Sequence, residues 1–152
     1  YTKEEIDQVL QVGCTPEIVQ LPLNMLDTRL YHCGWLQELC DRGIQIHARS
    51  VFLQGLFYLP SAELKHRFPD AYFAIEELKS IASEVNLELA ELSLLWLMSR
   101  QEVARVVIGV DTVEQLEAHL HTLEKHVDPG VFEAALAVRY ENEIVLNPSL
   151  WQ

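Results

Sequence analysis

The segment Val106-Val107-Ile108-Gly109-Val110-Asp111-Thr112 sets an apolar β-branched run, a glycine, an acid and a threonine in a row. That order predicts a buried strand over 103–110, centred on Val106-Val107-Ile108, that ends in glycine and turns at once into a helix capped by Thr112. Gln115 completes a Thr-x-x-Gln capping box. A turn of this kind presents backbone N–H groups and the positive end of a helix, which together suit a phosphate. Gly109 would let a ligand approach the backbone closely. An ordinary strand-to-helix turn uses the same residue types, so both readings stand. The segment has neither the Gly-Lys-Ser/Thr of a P-loop nor a Gly-x-Gly-x-x-Gly fingerprint. Asp111 would repel an anion if it faced the site, so it is read as pointing away or as bonding a sugar hydroxyl.

A second chemical segment is Ala48-Arg49-Ser50-Val51-Phe52-Leu53-Gln54-Gly55, where a predicted strand runs directly into a polar and aromatic loop. Arg49 can pair with phosphate or stack on a ring, and Ser50 can donate to a phosphate oxygen. The alternative is an Arg49 held in a salt bridge at a rim. Gln20 stands inside an otherwise apolar strand, where a buried amide needs partners. A ligand carboxamide would serve, and so would a structural partner. His119, His121 and His126 fall on one helical segment without a metal spacing, so they read as a solvated face. His32 and His66 read as surface residues, and His47 as a packed or barrel-lining one. No acid-base constellation and no nucleophile elbow stands out.

The elements that must carry these residues alternate. Thr2 and Glu5 form a capping box for a helix that runs to Gly13. Ile18 to Leu23 reads as a buried strand. A single helix over 27–42 follows, placing Cys33 and Cys40 on one face as small core residues about 10 Å apart. Ile44 to Ala48 is a strand. A loop with some helical character lies between Pro60 and Pro69. A stripe from Ala74 to Val85 and an all-apolar run from Glu88 to Met98 predict two helices, the second deeply buried. After the third strand, Val113, Leu116, Leu120 and Leu123 recur at helical spacing, and Phe132, Ala135 and Leu136 mark a last short helix. Helix and strand in strict alternation point to an α/β fold with a parallel sheet. Three strands alone leave two unpaired edges, and the chain opens at Tyr1 and not Met. The expectation is a single coherent portion, residues 1–152, of a larger barrel.

Composition narrows the partners. The 152 residues carry 11 basic and 23 acidic side chains, a net charge of −12. That excludes nucleic acid as a polymeric partner, because phosphate chains need a positive field. No apolar run approaches the roughly 20 residues of a membrane span, and no signal peptide is read at the start. The cysteines are Cys14, Cys33 and Cys40, odd in number and without paired C-x-x-C spacing. They read as reduced thiols, which predicts a cytoplasmic protein without a zinc site.

Three segments taken together, Ile18 to Asp27 (IVQLPLNMLD), Gly43 to Gly55 (GIQIHARSVFLQG) and Val107 to Leu116 (VIGVDTVEQL), resemble the C-terminal half of aldo-keto reductases, in the same order over nearly the whole chain. The resemblance implies a partial (β/α)₈ TIM barrel whose strands are the sixth to the eighth. It implies an oxidoreductase that moves hydride from NADPH, or less often NADH, to an aldehyde or ketone. The catalytic Asp, Tyr, Lys and His of such enzymes come from earlier strands, so no catalytic residue is assigned here. By the same resemblance Gln20 lies near the nicotinamide carboxamide. Arg49 falls where many members stack an aromatic residue on the nicotinamide. Ser50, Phe52 and Gln54 approach the pyrophosphate. Gly109, Val110, Asp111 and Thr112 match the segment at the adenosine phosphate end. Gln115 sits where an Arg often holds a 2′-phosphate, and Ala118-His119 stand in place of a Glu-Asn pair that contacts adenine. A second reading is a non-catalytic partial barrel that self-associates or docks on a partner through its open strand edges.

Overall fold

Three parallel strands form the sheet: β1 (Ile18–Pro22), β2 (Gln45–Arg49) and β3 (Val103–Val106), hydrogen-bonded in the order β1-β2-β3. The computed structural model describes residues 2–13 and 15–151; the thiol reading of Cys14 lies outside them. Helix α1 (Lys3–Gln11) precedes β1, with both halves of the Thr2/Glu5 capping box formed. It ends before Gly13, which is left-handed at φ +78° as a helix stop requires.

Between β1 and β2 lie two short helices, α2 (Arg29–His32) and α3 (Trp35–Asp41), where a single helix over 27–42 was expected. Gly34 takes φ +75° and starts α3 afresh. Cys33 and Cys40 therefore do not share a helix. Cys33 is exposed and not a core residue, whereas Cys40 is half-buried and packs against the core. Burial pushes the Cys40 thiol up, assisted by the nearby Glu102 and Asp41.

Beyond β2 the chain passes through a 3₁₀ segment (Leu53–Tyr58), then α4 (Ser61–Arg67), α5 (Tyr72–Glu84) and α6 (Leu89–Met98). The loop expected between Pro60 and Pro69 is thus largely helix. Asn86 ends α5 with φ +55°, and the Leu87 amide returns to the Ala82 carbonyl at 3.0 Å. Helix α7 (Val113–Thr122) follows β3. After it come α8 (Pro129–Ala137), capped by Asp128, and α9 (Glu143–Leu146), capped by Asn142.

One face of the sheet is covered. Leu21, Ile46 and Ala48 are buried in one cluster with Leu36, Leu39, Leu92 and Trp96, and α3 packs on β2 as α6 packs on β3. The strand period of two puts the alternate residues on the opposite face. There Gln20 pairs in register with His47, and His47 with Arg105. Gln20 and Arg105 are exposed, and Ile18 is 48% exposed. The burial expected over 18–23 therefore holds at Leu21, Pro22 and Leu23. Gln20 is exposed and so needs no buried partner. His47 is half-buried there as a sheet-lining residue, and its Nε2 has no hydrogen-bond partner. Trp35 and Trp96 are core residues, 1% and 0% exposed.

Candidate functional site

β2 and β3 both end at one cleft. Its volume is about 830 Å³, and its walls come from the segment after β2 and the turn between β3 and α7. The third strand is shorter than its sequence suggested and ends at Val106. One more ladder bond follows, from the Val107 amide to the Ala48 carbonyl at 2.7 Å, and then the backbone leaves the sheet. Val107, Ile108 and Gly109 become cleft wall and not strand. A Cβ on Gly109 would meet nothing within 4 Å, so that part of the wall is open space.

The loop after β2 is held in an unusual backbone conformation. Ser50, Leu53 and Gln54 take φ of +58°, +45° and +52°, and Gly55 takes +83°. Left-handed backbone at non-glycine residues costs of order 1–3 kcal/mol each and persists only where surrounding structure fixes it. Two buried polar side chains provide that fixing. Asn24, 0% exposed, donates from Nδ2 to the Ser50 carbonyl at 3.1 Å, while its Oδ1 accepts the Leu26 and Asp27 amides. Ser93 on α6 donates from Oγ to the Val51 carbonyl at 3.0 Å and accepts the Met25 amide. The two pins join the segment just after β1, the loop and α6.

Within the cleft Phe52 stacks on His119 of α7, with centroids 4.8 Å apart and planes 16° apart, and Tyr58 meets Phe52 edge-on. Arg49 Nη1 donates to Ser50 Oγ at 3.1 Å, which orients both side chains at the end of β2. On the opposite wall the start of α7 is closed by its own side chains. Thr112 Oγ1 accepts the Gln115 amide at 3.2 Å, and Gln115 Oε1 accepts the Asp111 amide at 2.8 Å. The capping box is therefore shifted: Gln115 reaches Asp111 and not Thr112. Glu114 adds a third closure, its carboxyl held below the usual range by its own backbone amide and the Thr112 hydroxyl. Two of the N–H groups expected to be free at this turn, those of Asp111 and Gln115, are thus engaged.

Of the residues singled out in the sequence, Arg49, Ser50, Phe52, Gln54, Gly109, Asp111, Gln115 and His119 line the cleft. Gln20, Val110 and Thr112 do not. Gln20 lies on the open sheet face, Val110 is 40% exposed beside the cleft, and Thr112 caps α7. Val51, Gly55 and Tyr58 line the cleft without having been singled out. Asn24 and Ser93 shape it without touching it. Their signal was a polar residue inside an apolar run, at Leu23-Asn24-Met25 and at Leu92-Ser93-Leu94. His121 and His126 are exposed, and no group of His, Cys, Asp and Glu among the described residues is placed to hold a metal.

Comparison with known proteins turns this geometry into an identity. Residues 1–138 match the model of the aldo/keto reductase family. The chain belongs to that family. The aldo-keto reductase AKR11C1 from Bacillus halodurans shares its fold. The holo form superposes with a TM-score of 0.69 at 20% identity, over 91% of this chain and 49% of that one. The apo form gives 0.68 at 18% identity, over 91% and 50%. This aldo/keto reductase chain thus spans about half the length of the solved structures it matches. No curated protein matches it significantly. No helix among its described residues is long and apolar enough to cross a membrane.

Proposed function

We propose that residues 1–152 are the cofactor-binding C-terminal portion of an NAD(P)H-dependent aldo-keto reductase, with β1, β2 and β3 as the sixth, seventh and eighth strands of a (β/α)₈ barrel. The observation that carries this reading is the cleft at the C-terminal ends of β2 and β3. It gathers a guanidinium, a hydroxyl, an aromatic pair and an open glycine wall from two separate segments. Ligand sites of barrels lie at that end, and the cleft is within the usual 300–1,000 Å³ of small-molecule sites.

These groups fit a dinucleotide. Arg49 and Gln20 would face the nicotinamide end. Ser50, Phe52 and Gln54 would hold the pyrophosphate. The segment from Gly109 to Thr112, with Gln115 and His119, would hold the adenosine. Bound there, NAD(P)H would supply a hydride for an aldehyde or ketone. The chain's own part is to bind and orient: the left-handed loop, pinned by Asn24 and Ser93, presents Ser50 and Phe52 in fixed positions without further ordering on binding. The groups that hand a proton to the carbonyl are assigned to the earlier strands. The same reading places the protein in the cytoplasm, on the strength of an odd number of cysteines without paired C-x-x-C spacing.

Adding NADH or NADPH at millimolar concentration to the purified 152-residue chain should shift the amide resonances of Ser50 to Gly55 without any reduction of a simple aldehyde. Turnover by this chain alone would overturn the placement of the chemistry elsewhere, and unmoved resonances would overturn the cofactor assignment. One observation favours self-association as well. Leu116 and Leu120 are exposed on α7, and a second, apolar groove of about 620 Å³ runs along β3 between Met98 and Leu123. Sedimentation of a strict monomer at high concentration would remove that second reading.

A further inference from the structure

We infer that the adenosine end of the cleft accepts a ribose with a free 2′-hydroxyl and turns away a 2′-phosphate, so that this protein uses NAD(H) and not NADP(H). The inference rests on the dinucleotide reading above and adds to it the choice between the two forms.

Charge makes the case. A 2′-phosphate brings close to two negative charges and acceptor oxygens only, so a site that takes it must offer cations or free N–H groups. Among the described residues that line the cleft, Arg49 is the only Lys or Arg, and it stands at the end of β2. The wall made by the β3–α7 turn offers the opposite. Asp111 lines the cleft, and Glu114 follows in the first turn of α7. Two of the amides that a phosphate could use there are already engaged, Asp111 by Gln115 Oε1 at 2.8 Å and Gln115 by Thr112 Oγ1 at 3.2 Å. A phosphomonoester at this wall would meet the Asp111 carboxylate, with Glu114 close behind it in the chain, and two occupied amides. A ribose hydroxyl carries no charge and donates a proton, which the Asp111 carboxylate, an acceptor only, can receive. The Phe52–His119 stack, shared between the two walls, leaves a ring surface for the base.

The test is a pair of titrations of the isotope-labelled 152-residue chain with NAD⁺ and NADP⁺, following the amides from Gly109 to His119. NAD⁺ should half-saturate the shifts at a concentration about tenfold or more below that of NADP⁺ at low salt. Raising the ionic strength should narrow the gap, because exposed charges are screened. Asp111→Asn combined with Glu114→Gln, both at exposed side chains, should bring the two within about threefold. Equal or tighter binding of NADP⁺, a gap indifferent to salt, or a gap unchanged in the double variant would each overturn the inference and leave the dinucleotide reading standing. If neither nucleotide moves any resonance, the dinucleotide reading itself fails and this inference with it. The salt series needs no variant, so it decides the matter even if the double variant folds poorly.

Discussion

Helices α6 and α7 are equal in length, stand on either side of β3 in sequence and pack on one another, yet they meet solvent in opposite ways. In α6 every residue from Leu89 to Leu97 is buried except Glu91, and Trp96 is 0% exposed. In α7 only Thr122 is buried, and the apolar series Val113, Leu116 and Leu120 lies open, with Leu120 at 55% exposure. Both helices have leucines at helical spacing. The difference is that α6 has β3 on one side and the pinned loop on the other, whereas the apolar face of α7 has no partner among the described residues. Apolar spacing therefore identifies a face built for contact, but not whether the contact lies in the same chain.

The largest test of that contrast is a truncation in each helix. Trp96→Ala should cost about 3–5 kcal/mol of unfolding free energy, as large-to-small changes in a packed core do. Leu120→Ala should stay within about 0.5 kcal/mol of the parent. Urea denaturation followed by circular dichroism measures both, and a matching loss at Leu120 would mean that α7 buries its face after all. Next in size is Ser93→Ala, which leaves the Val51 carbonyl and the Met25 amide without their buried partner. A loss of about 1–3 kcal/mol is expected in the same assay.

Smaller again is the tie between the two helices. Glu91 Oε1 accepts from Lys125 Nζ at 2.6 Å and from Thr122 Oγ1 at 3.0 Å. Burial alone would raise the Glu91 carboxyl, but the bonds to Lys125, the Glu88 amide and Thr122 outweigh it and hold the group below its ordinary value of 4.5. A lowered carboxyl binds its proton more readily in the unfolded chain. Its contribution is therefore fully present above pH 4.5 and is lost as the pH falls through the lower folded value. Lys125 is 40% exposed, so solvent reduces the pair to about 0.5–1 kcal/mol. Glu91→Gln should lower the unfolding free energy from urea denaturation at neutral pH by that amount and have no effect in strong acid. Least in stability, Leu116→Ser with Leu120→Ser should leave the midpoint almost unchanged while reducing any concentration-dependent sedimentation.

Much of the alternation was legible because it rests on local signals. Thr2-x-x-Glu5, Gly13, Thr112 and the apolar run of α6 each act within one turn of chain. The helix over 27–42 failed at Gly34, whose left-handed backbone interrupts a pattern that side-chain spacing alone carries straight through. Strand β3 was overextended for a related reason: Val107 and Ile108 are β-branched, but the strand ends where its partner β2 gives way to the loop at Ser50, and a partner's end is not written in the strand itself. The cleft was legible at its walls, Arg49 to Gln54 and Gly109 to His119, because strand-to-loop and strand-to-helix turns have sequence signatures. Its supports were not, because Asn24 and Ser93 act on residues 26 and 42 positions away. Nor did the sequence show that Gln115 would occupy the Asp111 amide.

The pins on the loop after β2 have a consequence for motion. Asn24 and Ser93 grip the Ser50 and Val51 carbonyls from the core, and the loop then closes its own bonds, from the Leu53 amide to Ser50 and from the Gly55 amide to Phe52. To release those amides to solvent, the molecule must first undo bonds that belong to the segment after β1 and to α6. The most irregular backbone in the protein should accordingly be among its slowest to exchange hydrogen with water, opening on the timescale of the core and not of a surface loop.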